Sequence, residues 1–201
     1  MFSDFGSLLL VICLAYGLGS IPFGLILTRL AGAGDIRQFG SGNIGATNVL
    51  RTGNKKLAIA TLVFDAGKGA AAVLFASHFT DAASTALAAI LVVIGHCFPV
   101  WLNFKGGKGV ATSLAALTAL NIQIGGLFVT VWLITAIFSR YSSLSALLAM
   151  LACVGAGFIL LEDIIMQFAI LSLATLVWSR HHANIVRLLT GNETKIGLKN
   201  R

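Results

Sequence analysis

Stretches such as LVICLAYGLG at 10–19 and ALAAILVVIG at 86–95 are apolar on every face. Neither a half-buried strand nor a surface helix of a water-soluble domain has that pattern. A transmembrane β-barrel is excluded too, because its segments alternate apolar and polar residues over about ten positions. Apolar runs separated by short polar breaks predict helices at about 7–29, 57–78, 83–101, 110–120, 122–138, 143–160 and 164–179, the fourth being short. Composition agrees: 57% of the 201 residues are hydrophobic and only 10% are charged, where a soluble domain carries roughly 25% charge. Seven spans of about 20 residues leave only some 60 for loops and termini, so no separate soluble domain fits. The expectation is an all-α integral membrane protein, a seven-transmembrane-helix bundle forming a single domain over residues 1–201.

Charge placement orients the bundle. Thirteen of the fourteen cations follow the first, third, fifth and seventh runs: Arg29, Arg37, Arg51, Lys55 and Lys56, then Lys105 and Lys108, then Arg140, then Arg180, Arg187, Lys195, Lys199 and Arg201. The opposite loops carry Asp4, Asp81, Glu162 and Asp163 and no cation. By the positive-inside rule the N-terminus lies outside and the C-terminus is cytoplasmic. A five-span arrangement, with the fourth and fifth segments re-entrant as a pair, gives the same charge asymmetry. Only Asp4 precedes the first apolar run, so the cationic flank of a cleavable leader is missing and the first segment is expected to remain as a helix. Lys68 is the fourteenth cation, three residues after Asp65 inside the second run. That spacing puts the two charges on one face, where they can neutralise each other. Pro22, among Gly19, Ser20 and Gly24, should loosen helix one. Cys13, Cys97 and Cys153 form no CxxC and read as small buried hydrophobes.

Three polar stretches interrupt the apolar chain, and in the seven-span arrangement all face the cytoplasm, which points to one shared site. FGSGNIGATNVLR at 39–51 meets the G-x-G-x-x-G pattern formally, but no strand precedes it, so a dinucleotide fold is rejected. What remains is a glycine-rich loop bearing Ser41, Asn43, Thr47 and Asn48, with Arg51 on the same helical face as Thr47. GHCFPVWLNFKGGKGVAT at 95–112 sets Lys108 between Gly106, Gly107 and Gly109, so that main-chain amides and an ammonium are expected to reach one anion. It is not a Walker A loop, since Gly follows the lysine. His96, near Pro99, reads as a base, a ligand or a polar helix-end group. WSRHHANIVRLLTGNETKIG at 178–197, read as a helix, aligns His181, Asn184 and Arg187 or Leu188, with Gly191 as a stop. An amphipathic surface helix is the alternative for this stretch. No GxSxG, HExxH, H-x4-D or metal-ligand cluster occurs. The residues alone lead to a cytoplasm-facing site for a phosphorylated ligand.

GSIPFG at 19–24, GSGNIGATNVLR at 40–51, GHCFPVWLNFKGGKGVAT at 95–112 and HHANIVRLLTGNETK at 181–195 together resemble the bacterial acyl-phosphate:glycerol-3-phosphate acyltransferase family, the PlsY type, over essentially the whole chain. Ile44 departs from a proline common in that family, and His182 and Ala183 from charged residues. The resemblance implies a seven-helix enzyme of the bacterial inner membrane, facing the cytoplasm. Its reaction would move a fatty acyl group from acyl phosphate to the 1-hydroxyl of sn-glycerol 3-phosphate, yielding lysophosphatidic acid and inorganic phosphate in the first acylation of phospholipid synthesis. It implies no cofactor, no metal and no nucleic-acid partner; the partners are the two substrates and membrane lipid. By the same resemblance Ser41, Arg51, Lys108, Ser143, His181 and Asn184 match essential polar positions, Asn43, Thr47 and Asn48 belong to the first motif, and Gly106, Gly107 and Gly109 to the second. A substrate phosphate is expected to take the hydroxyl proton, with His181 orienting or binding. A transporter or channel for a phosphorylated solute is the competing reading.

Overall fold

The structure, a computed structural model, describes residues 5–197; Asp4, Lys199 and Arg201 lie outside them. Ten α-helices follow in chain order: α1 Phe5–Gly19, α2 Phe23–Leu30, α3 Ala46–Arg51, α4 Lys55–Phe79, α5 Ala82–Cys97, α6 Val110–Leu120, α7 Ile122–Ser139, α8 Ser142–Leu160, α9 Ile164–Arg180 and α10 His182–Leu189. No strand occurs among the described residues. Among the described residues α4, α7 and α8 are long and apolar enough to cross a membrane, as is α5 together with the 3-10 turn that carries it on to Leu102, and six crossings result if the bent pairs α1–α2 and α9–α10 each count as one. α6, at 11 residues, reaches only ~16 Å, about half a hydrocarbon core.

Each predicted run has a helix, but two differ in form. The run at 7–29 is not continuous: it breaks at Ser20–Pro22 and resumes bent by 43°. Proline supplies no N–H and disfavours helical geometry in the residue before it. The carbonyls left over are satisfied from neighbouring elements, Ile21 O by Lys68 Nζ at 2.8 Å and Ser20 O by Trp101 Nε1 at 2.6 Å. The run at 83–101 ends its α-helix at Cys97 and passes into a 3-10 turn at Val100–Leu102. Starts are marked by side-chain caps: Asn54, Asp81, Asn121 and Asp163 each accept a main-chain N–H from the first turn they precede.

α5 is central, packing against α1, α4, α6 and α9. Backbones approach closely where glycine removes the side chain. A Cβ at Gly19 would sit 2.2 Å from Val92 O, one at Gly95 2.5 Å from Tyr16 O, and one at Gly69 2.4 Å from Thr112 O. This is the small-residue contact by which helices associate in lipid. The buried core includes Ala89, Val92, Val93, Leu117, Phe128, Met150, Leu173 and Val177, while Leu62 and Leu74 of α4, Leu133 of α7 and Leu151 of α8 are exposed, as lipid-facing residues are. Cys97 and Cys153 are buried, but Cys13 is exposed. Its two-residue offset from buried Val11 and Ala15 turns it about 200° to the other face of α1. Asp65 and Lys68 form the expected pair, 2.9 Å apart. His96, read as a base, ligand or helix-end group, is buried beside them.

Candidate active site

The first polar stretch is organised by one side chain. Asn48 is buried and uses its whole amide: Oδ1 accepts from Ser41 N at 3.0 Å and Ser41 Oγ at 3.2 Å, while Nδ2 donates to Ile36 O, Phe39 O and Asn43 O. Asn43 closes the next turn by accepting Gly45 N at 2.9 Å. Gly40 and Gly42 take left-handed angles, and a Cβ at Gly40 would meet Asn48 Oδ1 and the Arg51 side chain. The loop therefore lies over Arg51, half-buried and without a carboxylate partner among the described residues. Asn43 and Asn48 shape the loop, and Ser41 stays exposed on it.

In the second stretch, the expectation that the Gly106 and Gly107 amides surround an anion does not hold. Gly106 N donates to Cys97 O at 3.1 Å and Gly107 N to His96 O at 2.9 Å. Their carbonyls are also engaged, accepting Arg180 Nη2 at 3.2 Å and Nε at 3.1 Å, and the Arg180 guanidinium lies 5.0 Å over the Phe98 ring. Gly109, in the left-handed region, precedes α6 and packs against Val93 and Cys97. These glycines fold the loop back under Lys108; the ammonium is what the loop presents.

The third stretch completes the set. α9 and α10 meet at a 62° bend at His181, and after left-handed Gly191 the chain returns with Asn192 N bonded to Arg187 O. That return brings Glu193 inward. Its carboxylate accepts from Ser143 Oγ at 2.9 Å, Asn184 Nδ2 at 2.7 Å and Arg187 Nε at 2.7 Å. Asn184 Oδ1 in turn accepts Lys108 Nζ at 2.5 Å. One chain of contacts thus runs from α8 through Glu193 and α10 to Lys108. Thr47 Oγ1 and Ser142 Oγ, 3.4 Å apart, tie the first stretch to the start of α8.

The electrostatics follow from this packing. Burial brings Lys108 down to about 8, with Glu193 opposing and Arg187, Arg51 and Arg180 adding to the effect. Burial raises the Glu193 carboxyl, but hydrogen bonds from Asn184, Arg187 and Ser143 outweigh it and hold the group below its ordinary value. His181 is buried and brought down to about 4, by desolvation and then by Lys108. Its Nδ1 donates to Val177 O at 2.7 Å, because a carbonyl only accepts, and this leaves Nε2 of a neutral ring as an acceptor. Four cations around one carboxylate leave a strong positive excess, suited to phosphate.

Ser143, His181, Asn184 and Lys108 converge, with Arg51 and Thr47 alongside. Glu193, Arg180 and Ser142 were not picked out by sequence reasoning. Glu193 did carry a signal, as the only acid after Asp163 in a strongly basic tail; Arg180 was submerged among positive-inside cations.

The profile of the glycerol-3-phosphate acyltransferase family matches residues 9–191. A relative from Mesorhizobium japonicum bearing that name is 54% identical over 194 residues, covering 96% of this chain and 97% of its own. One from Brucella ovis is 56% identical over 188 residues, covering 92% and 90%. The crystal structure of PlsY, an integral membrane glycerol 3-phosphate acyltransferase, in its glycerol 3-phosphate form superposes with a TM-score of 0.91 at 37% identity over 96% of both chains. The lysophosphatidic acid form gives 0.88 at 36% identity, again over 96% of both.

Proposed function

The chain belongs to the glycerol-3-phosphate acyltransferase family, and from that premise we propose that it acylates the 1-hydroxyl of sn-glycerol 3-phosphate with acyl phosphate as the donor. Lysophosphatidic acid and inorganic phosphate are the products. The observation that carries the reading is the convergence of three distant polar stretches into one site where Arg51 and Lys108 lack any carboxylate partner of their own among the described residues. Both substrates are phosphates, and glycerol 3-phosphate and lysophosphatidic acid are the ligands named for the PlsY structures.

In this site Arg51 and Lys108 hold phosphate oxygens and stabilise the charge that develops as the acyl carbon is attacked. Acyl phosphate is a mixed anhydride with a good leaving group, so positioning of the two substrates is sufficient. The 1-oxygen bonds to the acyl carbon, the bond from that carbon to the phosphate oxygen breaks, and the hydroxyl proton leaves on phosphate. Ser143 is not the nucleophile in this account, because its partner Glu193 is held ionised by Arg187 and Asn184 and is a poor base. A histidine brought down to about 4 is likewise a weak base at neutral pH. Its free Nε2 orients the attacking hydroxyl. Ser41 is exposed beside Arg51 and supplies a further polar contact.

The protein is a multi-pass membrane protein. We place it in the bacterial inner membrane as a single domain of seven crossings, N-terminus outside and the site facing the cytoplasm. The thirteen-cation asymmetry and the gathering of polar stretches at one end support this. A carrier reading loses ground for the same reason, since its binding groups would lie near the midplane. The reaction is tested by its stoichiometry: purified protein given palmitoyl phosphate and labelled glycerol 3-phosphate should release one phosphate per lysophosphatidic acid formed. Phosphate release without labelled lipid would refute the transfer.

A further inference from the structure

One set of buried ionisable groups takes no part in this chemistry. Asp65 and Lys68 of α4 and His96 of α5 are 2%, 4% and 4% exposed. Charged groups in a bundle interior are costly, and a helix that needed only an internal ion pair would stop at Asp65 and Lys68. Here His96 Nδ1 lies 3.5 Å from Asp65 Oδ1, an electrostatic approach in which neither buried atom meets hydrogen-bond geometry with any partner among the described residues, and it adds a third titratable group from another helix.

Where these residues reach is more telling. Lys68 Nζ donates to Ile21 O, at the break between α1 and α2. The main-chain oxygen of Asp65 accepts Thr112 Oγ1 at 2.9 Å, in the first turn of α6. The main-chain oxygen of His96 accepts Gly107 N. The His96 ring lies so close to Gly107 that a Cβ there would fall 2.0 Å from Nε2. Gly107 and Thr112 bracket Lys108 in sequence, so the segment that presents the ammonium is anchored on both sides by this cluster. Arg180 clamps the same loop from the third stretch.

We infer that Asp65, Lys68 and His96 form a positioning unit for acyl transfer, the His96 ring packed between the ion pair and Gly107 and so fixing the Gly107–Lys108 segment against α5. None of the three touches substrate. The inference rests on the reading of Lys108 as a phosphate-binding group. Misplacing such a group by about 1 Å costs on the order of 100-fold in rate, so the unit has a kinetic consequence apart from folding.

The test uses the purified enzyme in detergent, with melting temperature and gel filtration establishing the fold and kcat and KM for glycerol 3-phosphate reporting position. His96→Ala should fold yet lose about 10- to 100-fold in kcat/KM. Gly107→Ala, which drives a methyl into the ring, should lose at least as much. The double variant H96A/G107A should be more active than Gly107→Ala alone, because the vacated ring volume receives the methyl. Such suppression between two positions is not expected of independent packing roles. Folded His96→Ala with wild-type kcat/KM, or no suppression in the double variant, would overturn the inference. So would failure of both His96→Ala and His96→Gln to fold, which makes the cluster a folding element only. Lys108→Ala, assayed alongside, separates the two claims: if it is active the phosphate reading fails, and if it is inactive beside a wild-type-like His96→Ala only the positioning role fails.

Discussion

Lys108 carries the largest share of the chemistry and is the residue most exposed to experiment. Its ammonium is bonded to a neutral amide, Asn184, with no carboxylate of its own among the described residues, so substrate phosphate is its natural counter-ion. Lys108→Ala should retain its fold and lose at least about 100-fold in kcat/KM, the scale of removing one transition-state donor. Arg51→Lys should also fall steeply, since it keeps the charge but not the planar fork that grips two oxygens; near-normal turnover in either would remove that residue from the site. Burial places Lys108 at about 8, so the charged form prevails below that pH and is lost above it. KM for glycerol 3-phosphate should therefore rise between pH 7.5 and about 9.5, while kcat at saturation shifts less because bound phosphate favours the ammonium. A flat KM across that range would contradict the assignment.

At the scale of helices, the separation of buried from lipid-facing positions makes a sharp contrast testable. A Cβ at Gly95 of α5 would run into Tyr16 O and Ser20 N across the α1–α5 contact, whereas one at Gly17 of α1 would meet nothing within 4 Å. Gly95→Val should lower stability in detergent by about 1–3 kcal/mol, the cost of overpacking, and Gly17→Val should leave the melting temperature near wild type. Equal effects would mean that the α1–α5 contact is not the close one described. Much of this layer was legible in the sequence. Apolar runs located the helices, and the caps Asp81, Asn121 and Asp163 stand at polar breaks between them. Pro22 announced a weak point, though not a 43° bend. The 62° bend at His181 had no proline or glycine to announce it. The use of the Gly106 and Gly107 amides was misread because spacing shows which groups a loop carries, not where they turn. Their partners, His96 and Cys97, lie about ten residues away on α5. Lys108, His181 and Asn184 stood out in their polar stretches and Ser143 was named only through the family resemblance, but the carboxylate that ties Ser143 to Asn184, and through it to Lys108, is Glu193, and its place depends on a return of the chain after Gly191 that only tertiary structure supplies.

For the whole molecule, orientation and donor each lead to a direct measurement. In a background with Cys13, Cys97 and Cys153 replaced, single cysteines at the exposed positions Ala83 and Glu162 should react with an impermeant thiol reagent added to intact cells. Cysteines at Gln38 and Thr190, also exposed, should be protected until the membrane is opened. Outside labelling of Gln38 would reverse the topology. The donor is the more central matter. The polar connections are short and supply no fold for the adenosine end of a coenzyme A thioester, whereas acyl phosphate asks only for a cationic phosphate site beside apolar helices. The direct measurement is to give one preparation of purified enzyme, in the same detergent, labelled glycerol 3-phosphate with palmitoyl phosphate, palmitoyl coenzyme A or palmitoyl carrier protein. Labelled lysophosphatidic acid should form from palmitoyl phosphate alone; robust transfer from either thioester with none from palmitoyl phosphate would contradict the account.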